Sequence, residues 1–577
     1  MTGTRTVASL ALLALSAWAV SSACGTGQRS GQGNATPGVQ AAAGGIQNRA
    51  QPERGADADD PGAASAEATP AGWGSTVSVT ISDRPQPRPI DLLVSLSLPA
   101  PAKNLAALRS YADAVMPGLG AGLPIGSAEQ FLTFLTGGGL AGLDQNKPIR
   151  ALLASPRDYP DSWLLIGTAA SGGEGAASDD SRVVFRHGGL VAVGAPSVVE
   201  LLAPYAFTTL SAEPMPAELT AIVHIDAVRV YLQEQIKIML SATAASAQRD
   251  PRGAALATAV RAVMKLVAES DRLALSLSAQ GTSASASCAL IPKADSAFAA
   301  VVAGETPAQF SLLGELPRAP VAIAGHSNSQ ALSDVMHKLT ENQSSRFLDA
   351  ALRAKAERAD KEFRAAVTGE YAAALTLSKA RGGLFSSVWQ TADTAAAATA
   401  LDTLMGGVWG EMAKRHAPTM APKKRTFKHR RATLTEYVFP LPKDTPANIR
   451  AGIEAFAGKG GVALITGGAG QRVIATVGKD ARKHAGQLVD TALGKGAGAH
   501  LDPALAGILG DARKRKESLV LAVDVQSVLA DLGIGQAPAG GGDWAVVGLG
   551  FADQSVAVRA TVPAGAARIL AQLLMAP

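Results

Sequence analysis

One pattern recurs along this chain and limits what it can become. A stretch with apolar residues at every second position meets a Gly-rich or polar turn, a second such stretch follows, and then an alanine-rich segment with helical spacing. The copies are WLLIGT with the more distant RVVFRHGGLVAVG and PSVVELL; LALSLSAQGTSASASCALIP with ADSAFAAVVAG; YAAALTLSKARGGLFSSVWQ with TADTAAAATALDTLMGG; GVALITGGAGQRVIATVG with KDARKHAGQLVDTALG; and WAVVGLGFADQSVAVRAT with PAGAARILAQLL. Alternation of period two marks half-buried strands, and short turns make them antiparallel. The pattern therefore predicts an α+β fold of tandem β-hairpin modules, each followed by a helix, with the helices packed on one sheet face. Five modules fit, at residues 76–215, 216–312, 313–410, 411–497 and 498–577.

Three modules open on a strand that runs into a helix: TAIVHIDAVRVYL, PVAIAGHSNSQALS and SLVLAVDVQSVLADL. Aligned without gaps, Asp226, Ser327 and Asp524 share one position at the strand's end. Each residue type can accept an orphan amide hydrogen of a helix's first turn, so all three are predicted N-caps.

Ahead of the modules, residues 1–23 have the parts of a secretory signal peptide: Arg5, an apolar run from Val7 to Val20, and small Ser21, Ser22 and Ala23. Cys24 follows at once. This arrangement resembles a bacterial lipoprotein signal. The resemblance implies cleavage before Cys24, lipidation of its thiol and anchoring in a membrane, with Gly25 in the position that favours outer-membrane sorting by the enterobacterial rule. Ordinary cleavage after Ala23 is the alternative, and it yields a soluble periplasmic protein. Residues 24–75, rich in Gly, Ala, Gln, Pro, Asp and Ser, lack the apolar content to offset ordering entropy and are expected to form a disordered tether.

The chain has two cysteines. With Cys24 lipidated, Cys288 has no intramolecular partner, which excludes a disulfide framework and a cysteine metal site. Ala284, Ala286, Cys288 and Leu290 alternate with Ser283, Ser285 and Ser287, so Cys288 is expected as a small hydrophobe on a strand's inner face.

Catalytic motifs are weak. GHSNS, at Gly325 to Ser329, approaches the G-x-S-x-G nucleophile elbow but lacks its last glycine, and its Ser327 aligns with two aspartates in sibling modules. ITGGAG resembles the TGG turn of short-chain dehydrogenases, yet a second strand, QRVIATVG, follows it, so its glycines are read as a hairpin turn. The eight histidines show neither HExxH nor an i, i+4 pair. No metal, no cofactor and no catalytic residue is assigned.

The feature that departs from background is KRHAPTMAPKKRTFKHRR, which holds eight cations and no acid: Lys414, Arg415, Lys423, Lys424, Arg425, Lys428, Arg430 and Arg431. These account for more than the whole net charge of +5, so the rest of the chain is mildly acidic. With two prolines and no helical period, the segment is expected as an exposed loop or a ragged strand start that presents its cations to an envelope polyanion. Specific nucleic-acid recognition is not expected, because aromatics are only 4% of the chain and stacking platforms need more. The leading expectation is a lipid-anchored binding or scaffold protein of the cell envelope, not an enzyme. The alternative is an envelope hydrolase with Ser327 as nucleophile and His326 beside it.

Overall fold

Every predicted hairpin whose turn is tight enough to fix register forms in the computed structural model, and the hairpins join edge to edge. The structure describes residues 64–67, 78–82, 84–136, 143–170, 182–249, 257, 260–261, 264–326, 349–378, 382–416, 418–443, 445–496, 501–533, 542–551 and 554–575. A small sheet pairs β1 (Ala64–Glu67) with β2 (Ser78–Ile81). Next come β3 (Leu92–Leu98), β4 (Ile149–Ala154), β5 (Trp163–Thr168), β6 (Val183–His187), β7 (Leu190–Gly194), β8 (Leu219–His224), β9 (Ser270–Gln280) and β10 (Ser283–Pro292). The second half supplies β11 (Val321–His326), β12 (Glu370–Ser378), β13 (Gly382–Gln390), β14 (Lys423–His429), β15 (Ala432–Phe439), β16 (Val462–Ala469), β17 (Arg472–Gly478), β18 (Glu517–Asp524), β19 (Trp544–Gly550) and β20 (Val556–Pro563).

From β3 onward these 18 strands form one antiparallel ladder. Its order is β6-β7-β5-β4-β3-β8-β9-β10-β20-β19-β18-β11-β12-β13-β17-β16-β15-β14. Among the described residues β6 and β14 each pair on one side only, and nothing described joins them. The fold is α+β, as the alternating pattern predicted.

That order has a symmetry the hairpin spacing conceals. Reading outward from the β10–β20 pair, β9 corresponds to β19, β8 to β18, β3 to β11, β4 to β12, β5 to β13, β7 to β17 and β6 to β16. The helices follow suit. Pro196–Thr208 leaves β7 as Ala481–Ala492 leaves β17, and Ile225–Tyr231 leaves β8 as Val525–Asp531 leaves β18. The sheet is thus two equivalent halves joined across β10 and β20, and the second half adds β15 and β14 at its rim.

Helices occupy both faces rather than the one expected. Leu132 of helix Ala128–Thr136 packs with Leu96, Ile149 and Leu165 on one face, and Phe363 and Leu401 of helices Ala350–Ala366 and Thr394–Asp402 pack with Trp389 and Val473 on that same face. On the opposite face, Val198 and Leu202 cover Leu152 and Leu164, while Leu488 and Leu509 cover Ile474 and Val520. Strands buried on both sides carry apolar residues at consecutive positions, as in the burial of Leu152 beside Ala151 and of Ile474 beside Val473.

The predicted caps diverge. Asp524 is an N-cap, accepting from the backbone N–H of Ser527 at 3.1 Å. Asp226 is not: the helix starts earlier, with His224 as N-cap, and the Asp226 carboxylate sits in the first turn and accepts from Arg88 at 2.6 Å. Ser327 lies outside the described residues. The sheet also places β11 as the counterpart of β3, so its resemblance to β8 and β18 is local sequence only.

Candidate functional site

At the junction of the halves, no helix among the described residues covers the face that carries Leu275 and Cys288. Parity through the ladder aligns Leu219, Leu277, Ala286, Ala560 and Val547 in one row across five strands, with Ala221, Leu275, Cys288 and Val558 in the next. Small Ala286, Cys288 and Ala560 on β10 and β20 lie between the larger Leu275 and Leu277 on β9 and Leu219 on β8, and with Val558 they line a trough across β8, β9, β10 and β20. It encloses about 420 Å³ and opens to solvent. Leu275, Val547 and Val558 are each more than 40% exposed. Large aliphatic side chains left in water on a sheet face are the informative departure from normal burial.

Cys288 is exposed in this trough, against the expectation of an inner-face position. Cys288 shares its strand face with Ala284, Ala286 and Leu290, as the alternation predicts, but that face is exposed at the sheet's centre. Apart from the Cys288 thiol and the lining Ser276 and Ser287, the trough is aliphatic.

The basic segment is folded more fully than a loop. Lys423–His429 is β14, paired with β15 from Lys423↔Val438 to His429↔Ala432 around a two-residue turn in which Arg430 takes a φ of 52°. Lys414 and Arg415 end the helix Gly410–His416. Three of the eight cations are neutralised. Arg415 bonds Asp349, Arg430 bonds Asp490, and Lys424 reaches Asp402 at 2.8 Å while lying 5.7 Å from the centre of the Tyr437 ring. The bonds from Arg430 and His429 hold the Asp490 carboxyl below the usual carboxylate range. Lys423, Arg425, Lys428 and Arg431 are exposed and have no ion pair among the described residues. Arg482, from the neighbouring helix, stacks over Phe427 at 4.1 Å and extends this positive rim. Lysines along a sheet's last strand also deter edge-to-edge association, so the segment has a structural use that needs no ligand.

A buried polar cluster was not legible in the sequence. His224 and Ser95 are both 5% exposed, and His224 Nε2 lies 3.1 Å from Ser95 Oγ on the adjoining strand. Arg88 and Asp226 complete the cluster, with Arg272 opposite His224 on β9. Burial, reinforced by Arg88 and Arg272, lowers the His224 pKa to about 4 despite the opposing pull of Asp226. A serine and histidine this enclosed admit no substrate, so the pair is read as structural. His326 ends β11 opposite Glu370, and burial lowers its pKa as well. Ser327 and Cys24 both lie outside the described residues, so neither the hydrolase alternative nor the lipid anchor has a geometry to report. Of the glycines in ITGGAG only Gly470, at a φ of 56°, lies in the β16–β17 turn, whereas Gly467 and Gly468 belong to β16 and pair with Ile474 and Val473. Among the described residues no cluster of His, Cys, Asp and Glu has metal-binding geometry, and no helix is long and apolar enough to cross a membrane.

No family model and no curated protein matches this chain. Two solved structures are similar to it in part. Crystal form III of TP0453 aligns with 48% of this chain and 100% of its own, at 11% identity and a TM-score of 0.22. Crystal form I aligns with 46% and 98%, at 11% identity and a TM-score of 0.20. Similarity at that level assigns neither fold nor function.

Proposed function

We propose that this chain is a lipid-anchored binding protein of the cell envelope, held by Cys24, whose central trough takes the hydrocarbon part of an amphiphile. The observation that carries the reading is the bare aliphatic floor at the β10–β20 junction. A floor without charged or amide side chains offers nothing to orient a sugar, nucleotide or peptide, whereas it repays a methylene chain at about 0.8 kcal/mol per buried CH₂. The four strands that line it set the trough's length at about 14 Å, room for one extended chain and far short of the roughly 800 Å² per side that a stable protein interface buries. An open trough leaves the polar head in water.

The free cations of the β14 rim lie nine strands from the trough and are proposed as a separate, weaker contact with an envelope polyanion. The direct test of the main reading is mass spectrometry of lipid extracted from protein purified under native conditions. Wild type should yield a bound amphiphile, and a variant with Ala286→Trp, which fills the trough from its centre, should not. Equal recovery from both would refute it.

A further inference from the structure

The two halves differ at one edge, and the difference exposes an acceptor. In the second half the outer side of β16 receives β15, in a register running from Leu434↔Gly467 to Phe439↔Val462. The counterpart of β16 is β6. Among the described residues no strand pairs with the far side of β6.

Its geometry is that of an open edge. The β6–β7 hairpin turns on Gly188 and Gly189, both with positive φ, so His187 and Leu190 flank a two-residue turn and exchange both backbone hydrogen bonds. Alternation along the strand then directs the N–H and C=O of Val184 and Arg186 away from β7. Such a row is a template for another strand.

A second observation falls at the same place. Arg182, just before β6, donates to the carbonyl of Thr136 at 2.9 Å and so fastens the end of helix Ala128–Thr136 beside the edge. Phe131 and Leu132 of that helix pack on the face that includes Val184, but Phe134 is 72% exposed. In the second half, the added strand fills the matching corner: Tyr437 of β15 is 1% exposed and packs against Phe363, Ala397 and Leu401. Among the described residues the first half has the aromatic and no counterpart of that strand.

We infer that the β6 edge is a docking surface for a second copy of this chain, with the two β6 strands antiparallel about a two-fold axis. With that axis at Phe185, Val184 of one copy lies opposite Arg186 of the other, which matches their outward backbone groups and separates the two arginines. Each copy brings its own exposed Phe134 to the seam. A second copy is favoured over open-ended growth because the sheet's other edge, β14, is lined with lysine and arginine and repels an edge that carries Arg186. The β6-to-β6 contact is isologous and closes on itself, whereas a β14-to-β14 contact would set two cation-lined edges against each other.

The test is sedimentation velocity of the purified chain over a wide concentration range, for wild type, Val184→Pro and Phe134→Asp. Proline removes one outward N–H and leaves the β6–β7 ladder intact, and Phe134 is exposed enough to replace without disturbing the core. Wild type should form a dimer, and each variant should raise its dissociation constant by about tenfold or more with unchanged far-ultraviolet circular dichroism. If Val184→Pro misfolds, Phe134→Asp decides alone. A wild type that stays monomeric throughout, or a dimer that Phe134→Asp leaves unweakened, would overturn the inference. Neither outcome depends on what the trough binds.

Discussion

His224 makes the fold acid-sensitive by a calculable amount. In the folded chain its imidazole is enclosed at the end of β8, bonded to Ser95 and flanked by Arg88 and Arg272, so it stays neutral down to about pH 4. In the unfolded chain it titrates near 6.5. Between those values the unfolded state binds a proton that the folded state refuses, so stability must fall as pH falls through this window. The difference of about 2.5 pH units is worth about 3 kcal/mol, fully expressed below pH 4 and absent above about 7. Burial depresses His326 and His484 in the same direction, and Asp226 and Asp490 lose their ion pairs at still lower pH. The informative quantity is therefore a difference between two proteins. Urea denaturation of wild type and His224→Gln should give curves that converge as pH falls from 7.5 to 4.5, because glutamine keeps a bond to Ser95 and does not titrate. Convergence by about 2 to 3 kcal/mol is expected. Parallel pH profiles, or an NMR titration of His224 near 6.5, would refute the reasoning.

Three further outcomes are expected. Cys24→Ala should shift the protein from the membrane fraction to the soluble fraction, with mass spectrometry showing loss of an acylated N-terminus. Asp524→Ala should cost about 0.5 to 2 kcal/mol in urea denaturation, since it removes an N-cap bonded to both the N–H and the hydroxyl of Ser527. Replacing Lys423, Arg425, Lys428 and Arg431 by Ser should weaken binding to anionic vesicles at low salt and flatten its salt dependence, measured by co-sedimentation across ionic strength; an unchanged slope would leave these residues as edge guards alone.

Local pairing was legible and distant pairing was not. The β9–β10 and β16–β17 hairpins could be read because alternation and a Gly-containing two-residue turn fix strand, turn and register together. Nothing local joins β10 to β20, which meet across more than 260 positions, yet that pair is the axis of the fold. The internal symmetry was masked because equivalent positions were refilled. Ser95 and Ser97 on β3 stand where β11 has Ala322 and Ala324, on the corresponding face. Charge hid β14, since an edge strand tolerates lysines that a central strand would exclude. Alternation also separated the two faces of β10 without saying which one is covered. Alternation alone therefore places Cys288 in the interior and gives no sign of the trough.

The central claim is tested most directly by titrating the protein with fluorescent fatty acids of increasing chain length. Affinity should rise by about 0.8 kcal/mol, roughly fourfold, for each added methylene, and level off once about 14 Å of trough is filled. Ala286→Trp should abolish that dependence, because its indole occupies the row between Leu277 and Ala560. Saturable binding that lengthens with the chain and is lost in the variant is the predicted result. No binding by wild type, or equal binding by Ala286→Trp, would contradict the account.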